Sequence, residues 1–363
     1  MSFTLFRYIA WRLTASIGAL FLAFTVLIMV IDLIENMRFA GKYADGSMFI
    51  ALQLTFLRAL GLSQALSPFL FLFGSLWCFS QLNRRSEISV MRSAGLSIWK
   101  ILTPAALVSL FTGIILTTVI DPLSSKMMAH SEHIQNVREG KQTSLVQFFR
   151  DGVWLRQNRE NGSLIINAKN INTNHGLLSN LTVWRISPEA EFVERIDAPH
   201  AKIVNNAIIM ATAISKKISE PTHTQLTDYR LETNLSLKDL SEQVAKPETL
   251  SIWNVRHFIR LAQTAGVPTS AYYLRLHDLI STPLKLLGMV LIAAAFSIRP
   301  GRRGGIFALA VLAITVGFSL YVITEISTAL GEAGNLPIVL AAWGPAIIAT
   351  LFAITGLLHL EDG

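Results

Sequence analysis

Two groups of residues in this chain have types and spacings that could do chemistry. The first is Gln81 to Leu96, QLNRRSEISVMRSAGL, where Arg84, Arg85 and Arg92 surround one acid, Glu87. Cations around a lone carboxylate suit ionic docking of a partner better than bond-making. Ile88, Met91 and Leu96 recur at roughly helical spacing beside them, and Ser86 followed by Glu87 reads as a helix start with an acid in its first turn. The second group is Ser281 with Lys285, four apart and therefore on one helical face, as a serine nucleophile and its lysine base would be. Pro283 lies between them, and no oxyanion-hole motif accompanies them. His277, Asp278 and Glu325 are the other ionisable residues of that neighbourhood. No GxxxxGK[ST] occurs, and the Gly-Arg-Arg-Gly-Gly turn at 301–305 lacks the strand-turn-helix context of a phosphate loop, so no ATP is expected on this chain. His130, His133, His175, His200 and His223 are scattered without metal-ligand spacing, and no metal or other cofactor is expected.

The elements that must position these residues are membrane spans. Of the 363 residues, 52% are hydrophobic and only 15% charged, and the mean hydropathy is +0.47, which excludes an ordinary soluble protein. Apolar runs flank the Gln81 to Leu96 segment on both sides, each about the 20 residues needed to cross roughly 30 Å of hydrocarbon. The segment is therefore a tight turnaround at one membrane face, and Arg84, Arg85, Arg92 and Lys100 mark that face as cytoplasmic. A net charge of +7 would suit nucleic acid or anionic lipid, but no nucleic-acid module accompanies it and many basic residues flank spans. Membrane and lipid phosphate fit better. The single cysteine, Cys78, reads as packing.

Taken in order, span one runs outward from Leu13 to Ile31 behind Arg7 and Arg12; it is too long for a signal peptide's apolar region and no small-x-small site follows it. After a turn at Ala44-Asp45-Gly46, span two returns from Gln53 to Phe79 with Pro68 as an expected kink. Span three runs from Ile98 to Asp121-Pro122, where the proline is expected to end the helix. From 122 to 266 the long apolar runs vanish. A helical lead-in at Lys126 to Gly140 precedes short alternating segments at Val153–Gln157, Leu164–Ala168, Leu181–Ile186, Phe192–Ile196, His200–Val204, Ile208–Ile214 and Gln225–Leu237, the pattern of an antiparallel sandwich or jelly roll. A helical linker, Ser251 to Gln263, leads to spans four to six at Ala271–Ile298, Gly305–Ser327 and Pro337–Leu358. The arginines at 299–303 put that turn on the cytoplasmic side too, so both termini are inside and the β domain outside. The fold class is thus a membrane α-helical protein of six transmembrane helices, 3+3, across 1–121 and 267–363, with an inserted all-β, jelly-roll-like domain at 122–266 on the outer side, which is periplasmic in a Gram-negative organism.

RSEISVMRSAG, with Glu87 between Arg85 and Met91 and with Ala94-Gly95 closing the element, resembles the loop after the second span in the LptF/LptG permeases of the lipopolysaccharide-export ABC transporter. The 3+β+3 layout extends the resemblance to the whole chain, and Phe6-Arg7-Tyr8-Ile9 before a long first span is closer to the LptG branch. The resemblance implies that 81–96 is a coupling helix for a nucleotide-binding subunit, with Glu87 the key contact and Arg84, Arg85, Ile88, Met91 and Arg92 around it. It implies a periplasmic jelly roll over which lipopolysaccharide is passed, and an inner-membrane location. The implied partners are a second, LptF-like permease, two LptB-like nucleotide-binding subunits carrying the ATP and magnesium, an LptC-like single-span regulator and an LptA-like bridge, with no covalent chemistry in this chain. Headgroup phosphates need cations on the outer side, and Arg38, Lys42, Arg58, Lys126 and Arg138 are placed for it, although the family's first-span lysines are replaced here by Met29 and Glu35. A membrane scaffold or sensor with an extracellular β domain, and an intramembrane Ser281/Lys285 hydrolase or acyl transferase, are the rival functions.

Overall fold

The chain begins with one uninterrupted helix, α1 (Phe3–Ala40), capped by the Ser2 hydroxyl, which accepts from the Leu5 amide. Its 38 residues rise about 57 Å, so it can cross a bilayer with turns to spare on both sides. The return passage is two helices, α2 (Met48–Ala65) and α3 (Ser67–Arg84), broken at Leu66 with Pro68 in the first turn of α3. Proline lacks the amide a continuous helix would use, and the first turn is where that absence costs nothing. The two halves are one passage antiparallel to α1, because contacts step evenly along it: Asn36 to Thr55, Asp32 to Arg58, Thr25 to Ser63, and Ile17 against Gly74. A Cβ at Gly74 would lie 2.8 Å from the Ile17 Cα, so glycine is what permits this crossing.

A seven-residue helix, α4 (Glu87–Ser93), then leads to α5 (Ile98–Ile115). The expectation that Asp121-Pro122 ends this span is overturned. A five-residue π segment, Leu116–Ile120, carries the helix on into α6 (Asp121–Arg138), and the whole runs 41 residues. The wide π turn explains the tolerance: the Asp121 amide bonds back to Leu116 O, one residue further than in an α-helix, relieving the clash that Pro122 would make with the carbonyl four residues earlier.

The computed structural model describes residues 2–43, 47–139, 147–149, 152–159, 162–172, 176–188, 191–204, 207–217, 224–233, 246–265, 267–298 and 306–361. The expected turns at 44–46 and 299–305, and His175 and His223, lie outside them. The chain divides into two compact units, Met1–Ser131 with Tyr273–Gly363, and Glu132–Tyr272.

In the second unit seven strands, β1 (Gln147–Phe149), β2 (Gly152–Arg159), β3 (Gly162–Asn172), β4 (Leu177–Ile186), β5 (Phe192–Val204), β6 (Ala207–Lys217) and β7 (Thr224–Glu232), form one antiparallel sheet in sequential order. The expected segments Phe192–Ile196 and His200–Val204 are one strand. An inserted antiparallel β domain is thus present, and among the described residues its connections are those of a meander, without the crossover of a jelly roll. The buried set changes phase along a common level: Leu178 to Leu181 on β4, Ala198 to Ala201 on β5, and Met210 to Ala213 on β6 are three apart where two would be regular. Asn180 and Asp228 take left-handed backbone near that level, so the sheet creases there. Helix α7 (Ile252–Thr264) adds Phe258 and Ala262 to this core.

Three helices complete the first unit, α8 (Ser270–Ser297), α9 (Ile306–Glu332) and α10 (Ile338–Glu361). Among the described residues six helices are long and apolar enough to cross a membrane. Helix α8 is the central one: 67% of its apolar window is buried, against 11% for α1. It packs so closely on α5 that a Cβ at Gly113 would lie 2.6 Å from the Pro283 Cα.

Candidate functional site

Helix α4 owes its position to its ends and its inner face. At its start Ser86 adopts φ 59°, a left-handed conformation that turns the chain sharply out of α3, and its side chain makes no cap. The expected Ser86 cap is therefore absent; Ser86 supplies a bend. At its finish the Gly95 amide bonds to Arg92 O and the Leu96 amide to Met91 O, with Gly95 at φ +82°. This is the paired pattern that a left-handed glycine permits after a helix. Ile88 and Met91 are buried in the bundle core with Ile9, Leu13 and Leu82. They hold α4 in place and are not open to a partner, a correction to their place in the expected docking set. What α4 and its lead-in present outward is Arg84, Arg85, Ser89, Val90 and Arg92, with Val90 65% exposed.

Glu87 is half-buried and already engaged. The Tyr8 hydroxyl donates to its Oε2 at 2.8 Å, Arg12 Nη1 stands 3.5 Å from its Oε1, and the Arg12 guanidinium lies over the Tyr8 ring, 5.2 Å from its centroid. The expected anionic handle is therefore also a clasp onto α1. An open recess of about 340 Å³ beside it, lined by Tyr8, Trp11, Arg12, Ser16, Cys78 and Gln81, leaves the clasp reachable from the surface. In the sequence Tyr8 and Arg12 read only as part of the lead-in to span one, not as partners of Glu87. Their four-residue spacing puts them on one face of α1, but nothing local tells that the face meets a residue 79 positions away. Nearby, the Asn83 amide donates to the last-turn carbonyl of Ser297 at 2.9 Å, so the ends of α3 and α8 lie on the same side of the bundle.

The five outer cations do not form one cluster. Arg38 and Lys42 extend exposed from the end of α1, and Lys126 is exposed on α6. None of these three has an ion-pair partner among the described residues. Arg138, at the end of α6, is half-buried and belongs to the other compact unit. Arg58 departs from the expectation: its guanidinium is 3.2 Å from the buried carboxylate of Asp32, which also accepts from Asn36 at 2.7 Å, and Asn36 donates in turn to Thr55 at 3.0 Å. The charge of Arg58 is spent on joining α1 to α2. A second internal pair, Arg275 with the fully buried Asp121 at 2.7 Å, joins α8 to the start of α6.

The serine-lysine dyad is overturned as an enzyme site. Lys285 is ion-paired with Asp278, and the buried Ser281 hydroxyl donates to the carbonyls of Asp278 at 2.9 Å and, across the helix crossing, of Ala342 at 3.3 Å. With Lys285 turned to Asp278 and the Ser281 proton directed at backbone carbonyls, the serine-to-lysine hydrogen bond that a nucleophile and its base need is not made. His277 accepts from Trp343 Nε1 at 3.4 Å in the same seam, while Glu325 is exposed on α9. Ser281 and His277 thus join α8 to α10.

Relatives match most of the chain, two of them as follows. The lipopolysaccharide export system permease protein LptG of Haemophilus influenzae is 24% identical over 363 residues, 97% of this chain and 96% of its own length. The LptG of Escherichia coli strain K12 is 24% identical over 307 residues, 80% of each. The family model for the lipopolysaccharide export system permease LptF/LptG matches residues 7–359, which includes α4, the inserted β domain and all six spans. The chain belongs to the LptF/LptG family of lipopolysaccharide export permeases.

Proposed function

We propose that this permease works as one half of an ATP-driven exporter whose ATP is hydrolysed on a separate subunit, and that α4 with its flanks is where that subunit docks. The observation carrying this is the outward face of α4: a rigidly seated seven-residue element between two membrane passages, presenting three arginines around the exposed Val90. An apolar contact ringed by cations fits a partner pocket with an acidic rim. The element lies on the side where the positive-inside rule puts the cytoplasm, which leaves both termini inside and the β domain in the periplasm. In this arrangement the chain holds no cofactor, and ATP with magnesium sits on the partner. A homologous second permease, a single-span regulator and a periplasmic bridge complete the assembly in the inner membrane. Arg38, Lys42 and Lys126 are the cations offered to lipid phosphate, being exposed and uncommitted to an ion pair among the described residues.

The test is purification of the tagged chain from its native membrane, as wild type and as Val90→Asp. Val90 touches little of its own protein, so the change leaves the fold alone and puts a carboxylate in the docking face. An ATP-hydrolysing subunit retained by the wild type and at least ten-fold depleted with Val90→Asp is the expected result. A wild-type chain that purifies without any ATPase would overturn the proposal.

A further inference from the structure

We infer that Tyr8 and Arg12 are positioning residues that fasten the docking element to α1, making α1 the rigid output by which a displacement of α4 reaches the far end of the bundle; this rests on the docking role proposed for α4. A helix of seven residues is too short to keep its own shape against a load. It moves as its anchors move. Those anchors are Ile88 and Met91 in the core and the Glu87 carboxylate, and the carboxylate is the polar, directional one, held by two donors that both stand on α1.

The other routes out of α4 contain joints. Through α3 the chain meets the break at Leu66, where the helix ends and begins again. Through α5 it meets Pro104 and then the π segment at Leu116–Ile120. Helix α1 alone has neither break nor proline over 38 residues. At its other end it is joined to α2 by Asp32 with Arg58 and by Asn36 with Thr55. A pull on Glu87 therefore passes to Tyr8 and Arg12, along a stiff rod, and out at Asp32 and Asn36, without crossing a hinge. The exposed side of α1, with Leu22, Val26, Val30 and Ile34, travels with it.

The experiment uses the complete transporter in vesicles of phosphatidylethanolamine and phosphatidylglycerol containing lipopolysaccharide, and counts lipopolysaccharide released per ATP hydrolysed. With the ATPase subunit still co-purifying at the wild-type level, Arg12→Gln is expected to lower that ratio at least five-fold and Tyr8→Phe about two-fold, while Arg12→Lys recovers most of it. An unchanged ratio for Arg12→Gln and Tyr8→Phe would overturn the inference. Loss of the ATPase subunit from both variants would overturn it as well, since the clasp would then serve docking and not transmission. Failure of the wild type to bring an ATPase along is a different outcome, which sinks the docking role itself.

Discussion

Asp32 is a carboxylate in a membrane helix, and its surroundings show what such a group requires. It is 5% exposed, faces Arg58, and accepts from Asn36. Removing one partner of a buried ion pair leaves the other charge uncompensated, at a cost of about 3–5 kcal/mol when both are deeply buried. Arg58 is partly exposed and Asn36 remains, so Arg58→Ala is expected to lower stability by up to about 3 kcal/mol; Asp32→Asn should cost less, because an amide needs no counter-charge. Thermal unfolding of the two variants in detergent checks the order, and equal losses would mean that Arg58 acts through packing. At this scale the sequence was legible in kind and not in pairing. Arg58 was visible as an intramembrane cation, yet its partner sits 26 residues away on another helix, and the sequence offers free phosphate as readily as a carboxylate. Glu87 stands out in the sequence as the one acid of a basic loop, while the two donors that hold it do not, since a tyrosine and an arginine ahead of a first span look like ordinary interface anchors.

Among the elements, prolines divide what could be read from what could not. Pro68 was expected to disturb its span and does, because a helix restarting at Ser67 gives it a first-turn place. Pro122 was expected to stop a helix and does not, because five residues of wider turn absorb it. Local steric rules state only that a regular α-helix cannot continue past a proline; whether the chain stops or widens is decided by neighbours, here α8, whose Arg275 holds Asp121. The strand positions were legible from alternation, but β5 was read as two strands because its phase slips at the crease. The α5–α8 crossing supplies a test at this scale. Gly113→Ala puts a methyl 2.6 Å from the Pro283 Cα, a backbone atom that cannot step aside, and overpacking of that kind costs about 1–3 kcal/mol. The melting temperature of the purified variant should fall by several degrees, while Gly61→Ala, at a helical site where no neighbouring element comes within 4 Å, should leave it unchanged or slightly raised; a fall of the same size for both would show that the α5–α8 contact is not what the methyl disturbs.

For the molecule as a whole, the 3+β+3 layout was legible because composition changes so sharply at 122 and 267, and the two compact units divide at 131 and 273. The second unit has a core of its own, with Leu155, Ile166, Val183, Ile196 and Ile208 nearly inaccessible. Residues 132–272 expressed alone are therefore expected to give a soluble, β-rich circular dichroism spectrum and one cooperative melt; a spectrum without β structure would mean that this core depends on the membrane helices. The insertion of that unit also dictates an order of construction. Synthesis delivers α1 to α6 first, then the whole β domain, and only afterwards α8, whose Leu286, Val290, Ala293 and Ala294 are fully buried and whose Arg275 and Pro283 meet Asp121 and Gly113. At about 5–20 residues per second the wait is on the order of 10 s. Throughout it the first three passages sit in the bilayer with the face meant for α8 uncovered, carrying the Asp121 carboxylate before its arginine exists. The nascent half-bundle is thus a client for whatever in the membrane shelters unfinished proteins, and quality control has its best opportunity to judge this chain before its keystone helix has been made.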